Sequence, residues 1–183
     1  MSSLAKWRTL SERVLASYRV FDVSELHDQR ADTGETHVFY RIDSVDWANI
    51  IPITTTGEVV MIRQFRHGAG RETLEIPGGL IDDGEEPTAA AARELLEETG
   101  YRAGRVIALG SVMPNPALFR NRIHSMLATG CEKVGEIAND ATEETVIELV
   151  ALDDIDGLLA RGVIDHALVM AAFHWWRLRG CPR

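Results

Sequence analysis

Positive charge is in deficit in this chain, cysteine is nearly absent, and no apolar run is long. The 183 residues carry a formal net charge of −9. Nucleic-acid polymers are held largely by Lys and Arg at phosphates, so this balance argues against such a partner. It leaves open a small anionic substrate whose charge is bridged by metal. Cys131 and Cys181 are the only cysteines, and they lack CxxC or metal-ligand spacing. They read as two reduced thiols of a cytosolic protein. No run approaches the ~18 apolar residues that cross a bilayer, which excludes a membrane partner of that kind. The N-terminus shows no basic-then-apolar leader, so the expected location is the cytoplasm.

What is present is ordinary in bulk and unusual in one place. Hydrophobic residues make up 45% and charged residues 26% of the chain. That suits one globular domain burying roughly two thirds of its unfolded surface. Apolar spacing predicts a short helix over Leu4–Val14, a strand over Arg19–Leu26 and a polar turn from Gln29 to Glu35. Further strands are expected at 36–43, 47–54, 59–65, 106–111, 123–128 and 146–152, with 73–76 leading into a glycine loop. Helices are expected at 153–160 and 165–178. Strands mixed with helices indicate a compact α/β sandwich.

The unusual place is Gly79 to Tyr101, GLIDDGEEPTAAAARELLEETGY. Glu94, Glu97 and Glu98 recur at helical spacing and fall on one face, while Ala92, Leu95, Leu96 and Thr99 fall on the other. Three carboxylates so close repel one another, and a hard cation would offset the repulsion. Asp83 or Glu85 is placed to cap the helix, Pro87 lies near its first turn, and Gly100 sits where a C-cap glycine belongs. Glycines at 78 and 79 permit close backbone approach, and a carbonyl there offers a further metal ligand.

Gly79, Glu85, Arg93, Glu94, Leu95, Glu97, Glu98, Gly100 and Tyr101 match the Nudix box, G-x5-E-x7-R-E-U-x-E-E-x-G-U, with an aromatic in the last apolar place. The chain thus resembles the Nudix hydrolases. The resemblance implies an α/β/α sandwich with a mixed sheet and an extra N-terminal β-layer. Residues 1–50 would form that extension, within the same domain as the 51–183 core, and would help build a homodimer. It also implies Mg²⁺, with Mn²⁺ able to substitute. Glu94 and Glu98 would be metal ligands, Glu97 would share or complete the site, and the Gly78 carbonyl would be the backbone ligand. Arg93 would orient Glu97, and Glu85 would steady the loop or hold a further ion.

In relatives of the ADP-ribose type the general base comes from a loop beyond the box. Glu143 is the first candidate here and Glu144 the second. Arg63 and Arg66 are candidates for the substrate's phosphates or sugar, and Trp47 either stacks on a base or fills the core. Pro116, fifteen residues past Tyr101, stands near the position of a subgroup proline. Its setting, Met113-Pro114-Asn115-Pro116-Ala117, departs from Ser-Pro-Gly and shifts weight from ADP-ribose toward other nucleotide sugars such as GDP-mannose. The implied reaction is metal-dependent hydrolysis of a nucleoside diphosphate sugar to a nucleoside monophosphate and a sugar phosphate. The alternatives are a nucleoside triphosphate pyrophosphatase and a non-catalytic nucleotide-sugar sensor.

Overall fold

In the computed structural model, which describes residues 4–139 and 144–180, the first element is a strand where apolar spacing predicts a helix. β1 (Trp7–Ser17) pairs antiparallel with β2 (Asp22–Arg30), with register breaks at Thr9/Ser11 and Val14/Ala16. Each break adds a residue to the strand, so Trp7, Leu10 and Val14 recur at spacings that mimic a helix. β3 (Thr36–Asp43) completes a three-stranded sheet in the order β1-β2-β3. With Met113–Asn121, the chain through Val45 forms one of two compact units. The division at Val45/Asp46 differs from the expected boundary at residue 50. That position falls inside β4 (Trp47–Thr54), an internal strand of the second unit's sheet.

The second unit holds an eight-stranded sheet. Its remaining strands are β5 (Glu58–Arg66), β6 (Arg71–Glu75), β7 (Gly78–Leu80), β8 (Tyr101–Arg102), β9 (Arg105–Val112), β10 (Ile123–Lys133) and β11 (Thr145–Ala151). The main path runs β11-β5-β4-β10-β8, with β6 beside β5, β7 beside β4 and β9 beside β10. β4 and β10 are parallel and the other pairs antiparallel, so the sheet is mixed.

Helices cover both faces because the central strands are apolar on both sides. Ala48, Ile50, Val60, Met126 and Ala128 pack with Ala90, Ala91 and Leu95 of α1 (Pro87–Thr99). Their alternating neighbours Ile51, Val59, Met61 and Leu127 pack with Ile155 of α2 (Ile155–Ala160) and with Val169, Phe173 and Trp176 of α3 (Ala167–Leu178). Each large side chain so buried contributes about 1.5–3 kcal/mol. The result is the expected α/β/α sandwich. The helix expected from residue 153 begins as a single 3-10 turn, Leu152–Asp154, before α2. α3 starts two residues later than expected because His166 caps it, its ring accepting from Leu168 N. Among the described residues no helix is long and apolar enough to cross a membrane.

Candidate metal and substrate site

The chain leaves β6 through Ile76 and Pro77 and is pinned at once to β4. Ile50 N donates to Pro77 O at 3.0 Å, and Ile81 N donates to Asp46 O at 3.0 Å. Gly78 is required by its contact with the β4 backbone, and Gly79 leaves room for a side chain. A Cβ on Gly78 would lie 2.4 Å from Ala48 O, and one on Gly79 would lie 2.4 Å from Glu94 Oε1. Bare backbone at 79 therefore leaves the space that the Glu94 carboxylate fills.

α1 starts with Pro87 at its first position, after Glu86. Glu86 makes no side-chain capping bond, and neither Asp83 nor Glu85 is the cap. Glu85 is drawn elsewhere: its carboxylate accepts from Asp82 N and takes Arg93 in two bonds, Nε at 3.1 Å and Nη2 at 2.9 Å. The same guanidinium donates to Leu80 O at 3.0 Å, Glu94 at 2.8 Å and Glu97 at 3.1 Å. One planar cation with five donors thus ties the loop to the helix and bonds three acids, its single charge offsetting part of theirs. The Glu85 bond, with Glu94 adding to it, holds the Arg93 guanidinium strongly protonated against the cost of its partial burial. The Arg93 bond likewise holds the Glu85 carboxyl below the usual carboxylate range.

Glu98 departs from the outward-facing acid that helical periodicity predicts. It is only 4% exposed, and its Oε2 accepts from Gly78 N at 2.9 Å. Leu96, expected on the packed side, is instead exposed. Glu94 and Glu97 are bonded to Arg93, while Glu98 lies under the β7 backbone. Among the described residues no three acids or histidines already converge as a ligand set.

The residues nevertheless fit a hard divalent cation. Glu94 and Glu98 lie one helical turn apart beside the Gly78–Gly79 backbone, and the donors offered are oxygens, as Mg²⁺-type ions require.

The C-terminal end of α1 is held by the chain that leads to the candidate base. Gly100 closes the helix at φ 68°, and its carbonyl accepts from Val134 N at 2.9 Å and Gly135 N at 3.1 Å. Ala138 N donates to Glu97 O at 2.7 Å. Asn139 Nδ2 donates to Thr145 Oγ1 at 2.8 Å, and that hydroxyl donates to Glu98 O at 2.9 Å. Glu143 lies outside the described residues; Glu144 is exposed, directly before Thr145.

The structure separates the other candidates. Arg63 pairs with Glu148 at 2.6 Å and shares its side of β5 with Val59 and Met61, which pack toward α2 and α3. Arg66 alternates onto the side of Val60, which packs with Leu95 of α1. Trp47 opens β4 opposite Leu80 and is half-buried. Pro116 is exposed in a turn of the first unit, where Leu118 N and Phe119 N donate to Asn115 O. His124 makes a 3.0 Å contact with Asp46.

Sequence reasoning missed Glu75, which is 2% exposed. The available signal was an acid inside the apolar run just before Pro77. It also missed Thr145, a buried hydroxyl at the start of a strand.

This combination of fold and carboxylate helix belongs to a known class. A model of the NUDIX domain matches residues 45–173. The chain belongs to the Nudix family of hydrolases, whose members generally use divalent metal ions. It is 28% identical over 165 residues to an ADP-ribose pyrophosphatase of Bacillus subtilis, covering 86% of this chain and 89% of that protein. It is 32% identical over 157 residues to a CMP-5'-(N-acetyl-N-hydroxy-3-aminopropyl)phosphonate hydrolase of Streptomyces rubellomurinus, covering 86% and 75% of the two chains. A crystal structure of an ADP compounds hydrolase superimposes with TM-score 0.84 at 25% identity, covering 98% of each chain.

The Glu85–Arg93 bond carries a pH signature. Because the folded Glu85 carboxyl lies below its ordinary 4.5, its stabilisation is present above that pH and is lost as pH falls through the folded value. Glu85→Gln should therefore be less stable than the native chain at pH 7, with the gap closing below about pH 4.5 in denaturant titrations. A gap that stays constant to pH 3 would refute the pairing.

Proposed function

We propose that this chain is a Mg²⁺-dependent nucleoside-diphosphate-sugar pyrophosphatase, with Mn²⁺ able to substitute, acting first on ADP-sugars such as ADP-ribose. The observation that carries the reading is the set of Glu94 and Glu98 against the Gly78–Gly79 backbone, fixed by Arg93. The names of the Bacillus relative and the superimposed crystal structure support an ADP-linked substrate over GDP-mannose.

Glu94, Glu98 and the Gly78 carbonyl would hold the metal, with Glu97 completing the site. A divalent ion held there supplies neutralisation of the diphosphate's charge. Arg93 keeps Glu94 and Glu97 in place, and Glu85 holds Arg93. Arg66 rather than Arg63 serves the substrate, since it shares a sheet side with the residues under α1. Glu143 takes the proton from the attacking water, with Glu144 the second choice. The hydroxyl joins one phosphorus, the bridging P–O bond breaks, and the proton is delivered to the departing phosphate. The products are a nucleoside monophosphate and a sugar phosphate.

The test is turnover with Mg²⁺ across ADP-ribose, GDP-mannose, other nucleotide sugars and nucleoside triphosphates, with products identified by mass. Release of AMP and ribose 5-phosphate from ADP-ribose supports the proposal. Inorganic pyrophosphate from triphosphates alone would move the chain to a triphosphate pyrophosphatase, and binding without turnover would make it a sensor. Glu98→Gln should lose most activity while staying folded. Glu143→Gln should lower kcat by about 10²–10⁴ with KM little changed. The same effect from Glu144→Gln alone would transfer the role.

The N-terminal sheet is proposed as a dimerising element. Trp7, Leu10, Val14 and Phe39 are all more than 40% exposed on it, with the Trp7 and Phe39 rings in edge contact, and exposed apolar surface of this kind marks interaction sites. Sedimentation of the full chain should give a homodimer, and Leu10→Glu with Val14→Glu should give monomers. A monomeric native chain would contradict this.

A further inference from the structure

Glu98 is the next-to-last residue of α1, where a helix leaves its carbonyls without internal partners and where it frays first. Its side chain nevertheless meets a fixed point, since Oε2 accepts from Gly78 N at 2.9 Å under the β7 backbone. A carboxylate holds such a geometry only when the backbone that carries it is fixed as well.

That fixing comes from outside the helix. The hydroxyl of Thr145, a buried residue at the head of β11, donates to Glu98 O at 2.9 Å. Thr145 is itself in register, standing opposite Gln64 in the antiparallel pairing of β11 with β5. Glu98 is therefore held at both ends, its carbonyl by β11 and its carboxylate by β7. Both strands belong to the sheet that α1 covers.

A hydroxyl has one hydrogen to give, and here Glu98 O takes it. Asn139 completes the arrangement from the other side. Its Nδ2 donates to Thr145 Oγ1 at 2.8 Å, so the oxygen accepts one bond while it gives the other. The preceding amide, Ala138 N, donates to Glu97 O at 2.7 Å. Residues 138 and 145 thus take the carbonyls of two consecutive acids of the carboxylate helix. Strand geometry does not ask for a hydroxyl at Thr145, because valine has the same branched shape and suits a strand as well.

We propose that Thr145 is a positioning residue of the metal site, setting the Glu98 carboxylate at Gly78 through the Glu98 carbonyl, with Asn139 orienting its hydroxyl. The inference rests on the metal-site reading given above. Without the hydroxyl, the Glu98 carbonyl loses this donor and the last turn of α1 loosens. The carboxylate then no longer meets the Gly78 amide in one geometry.

The test is amide hydrogen exchange and Mg²⁺ titration on ¹⁵N-labelled full-length protein, comparing the native chain with Thr145→Val, Thr145→Ser and Asn139→Ala. In metal-free protein, Thr145→Val should speed exchange of the Gly78 amide about tenfold, the scale of one hydrogen bond. The Ile50 amide, which donates to Pro77 O beside the same loop, should keep its native rate. The variant should also need about tenfold more Mg²⁺ to saturate the shifts at Gly78 and Glu98. Turnover should show the same raised Mg²⁺ requirement, with kcat near native once Mg²⁺ saturates. Thr145→Ser keeps the hydroxyl and should restore both readouts, whereas a role in packing alone would follow the lost methyl group. Should Thr145→Val not fold, Asn139→Ala decides, with faster Gly78 exchange and weaker Mg²⁺ binding expected. Native Gly78 exchange and native Mg²⁺ affinity in the variant that decides would overturn the assignment, as would an equal rise at Ile50. A native chain without saturable Mg²⁺ shifts would remove the metal reading instead, and the metal-free exchange would still decide whether Thr145 sets the Glu98 carboxylate.

Discussion

Repulsion among three carboxylates within little more than a turn of one helix is the constraint around which this site is organised. Arg93 resolves it by bonding Glu85, Glu94 and Glu97 together, while Glu98 is withdrawn beneath Gly78 N. Two consequences follow for the fold. The loop before α1 is fixed by a side chain of the helix it precedes, so Glu85 does not cap the helix start. The β7 backbone also lies against the carboxylates, with Gly78 packed on Ala48 O of β4 and Gly79 leaving the room that the Glu94 carboxylate fills. Chemistry and packing are therefore satisfied by the same few atoms.

The sheet carries that arrangement outward. β4 holds β7 in register at Ala48 and Asn49, and its two sides pack against α1 and α3. The far end of α1 is fastened through backbone carbonyls: Gly100 O, Glu97 O and Glu98 O accept from Val134, Gly135, Ala138 and Thr145. These are carbonyls that a helix end leaves without internal partners. The chain that satisfies them also flanks the segment containing Glu143.

Much of this was legible in the sequence, and the exceptions have physical causes. The strands Thr36–Asp43 and Trp47–Thr54 coincide with their expected bounds because local alternation or continuous apolarity marks them. The box residues could be placed on α1 because helical spacing alone groups them. β1 was misread because two bulges convert a period of two into the spacing of a helix. The burial of Glu98 was hidden because its partner is a backbone amide twenty residues earlier. Glu75 escaped notice because Arg66, Thr73 and His166 reach it across a hairpin and from a distant helix cap. Local pattern marks elements and motifs, whereas pairings made by tertiary contact leave only an out-of-place polar residue as a sign.

The central claim is that Glu94 and Glu98 with the Gly78 backbone form the metal site. The most direct measurement is a Mg²⁺ titration followed on assigned amide resonances. Because Gly78 N donates to Glu98 Oε2, the account predicts a saturable shift at Gly78 together with those of Glu94 and Glu98, reversed by chelation. Saturable Mg²⁺ binding that leaves Gly78 unmoved, or shifts confined to other acids, would contradict it.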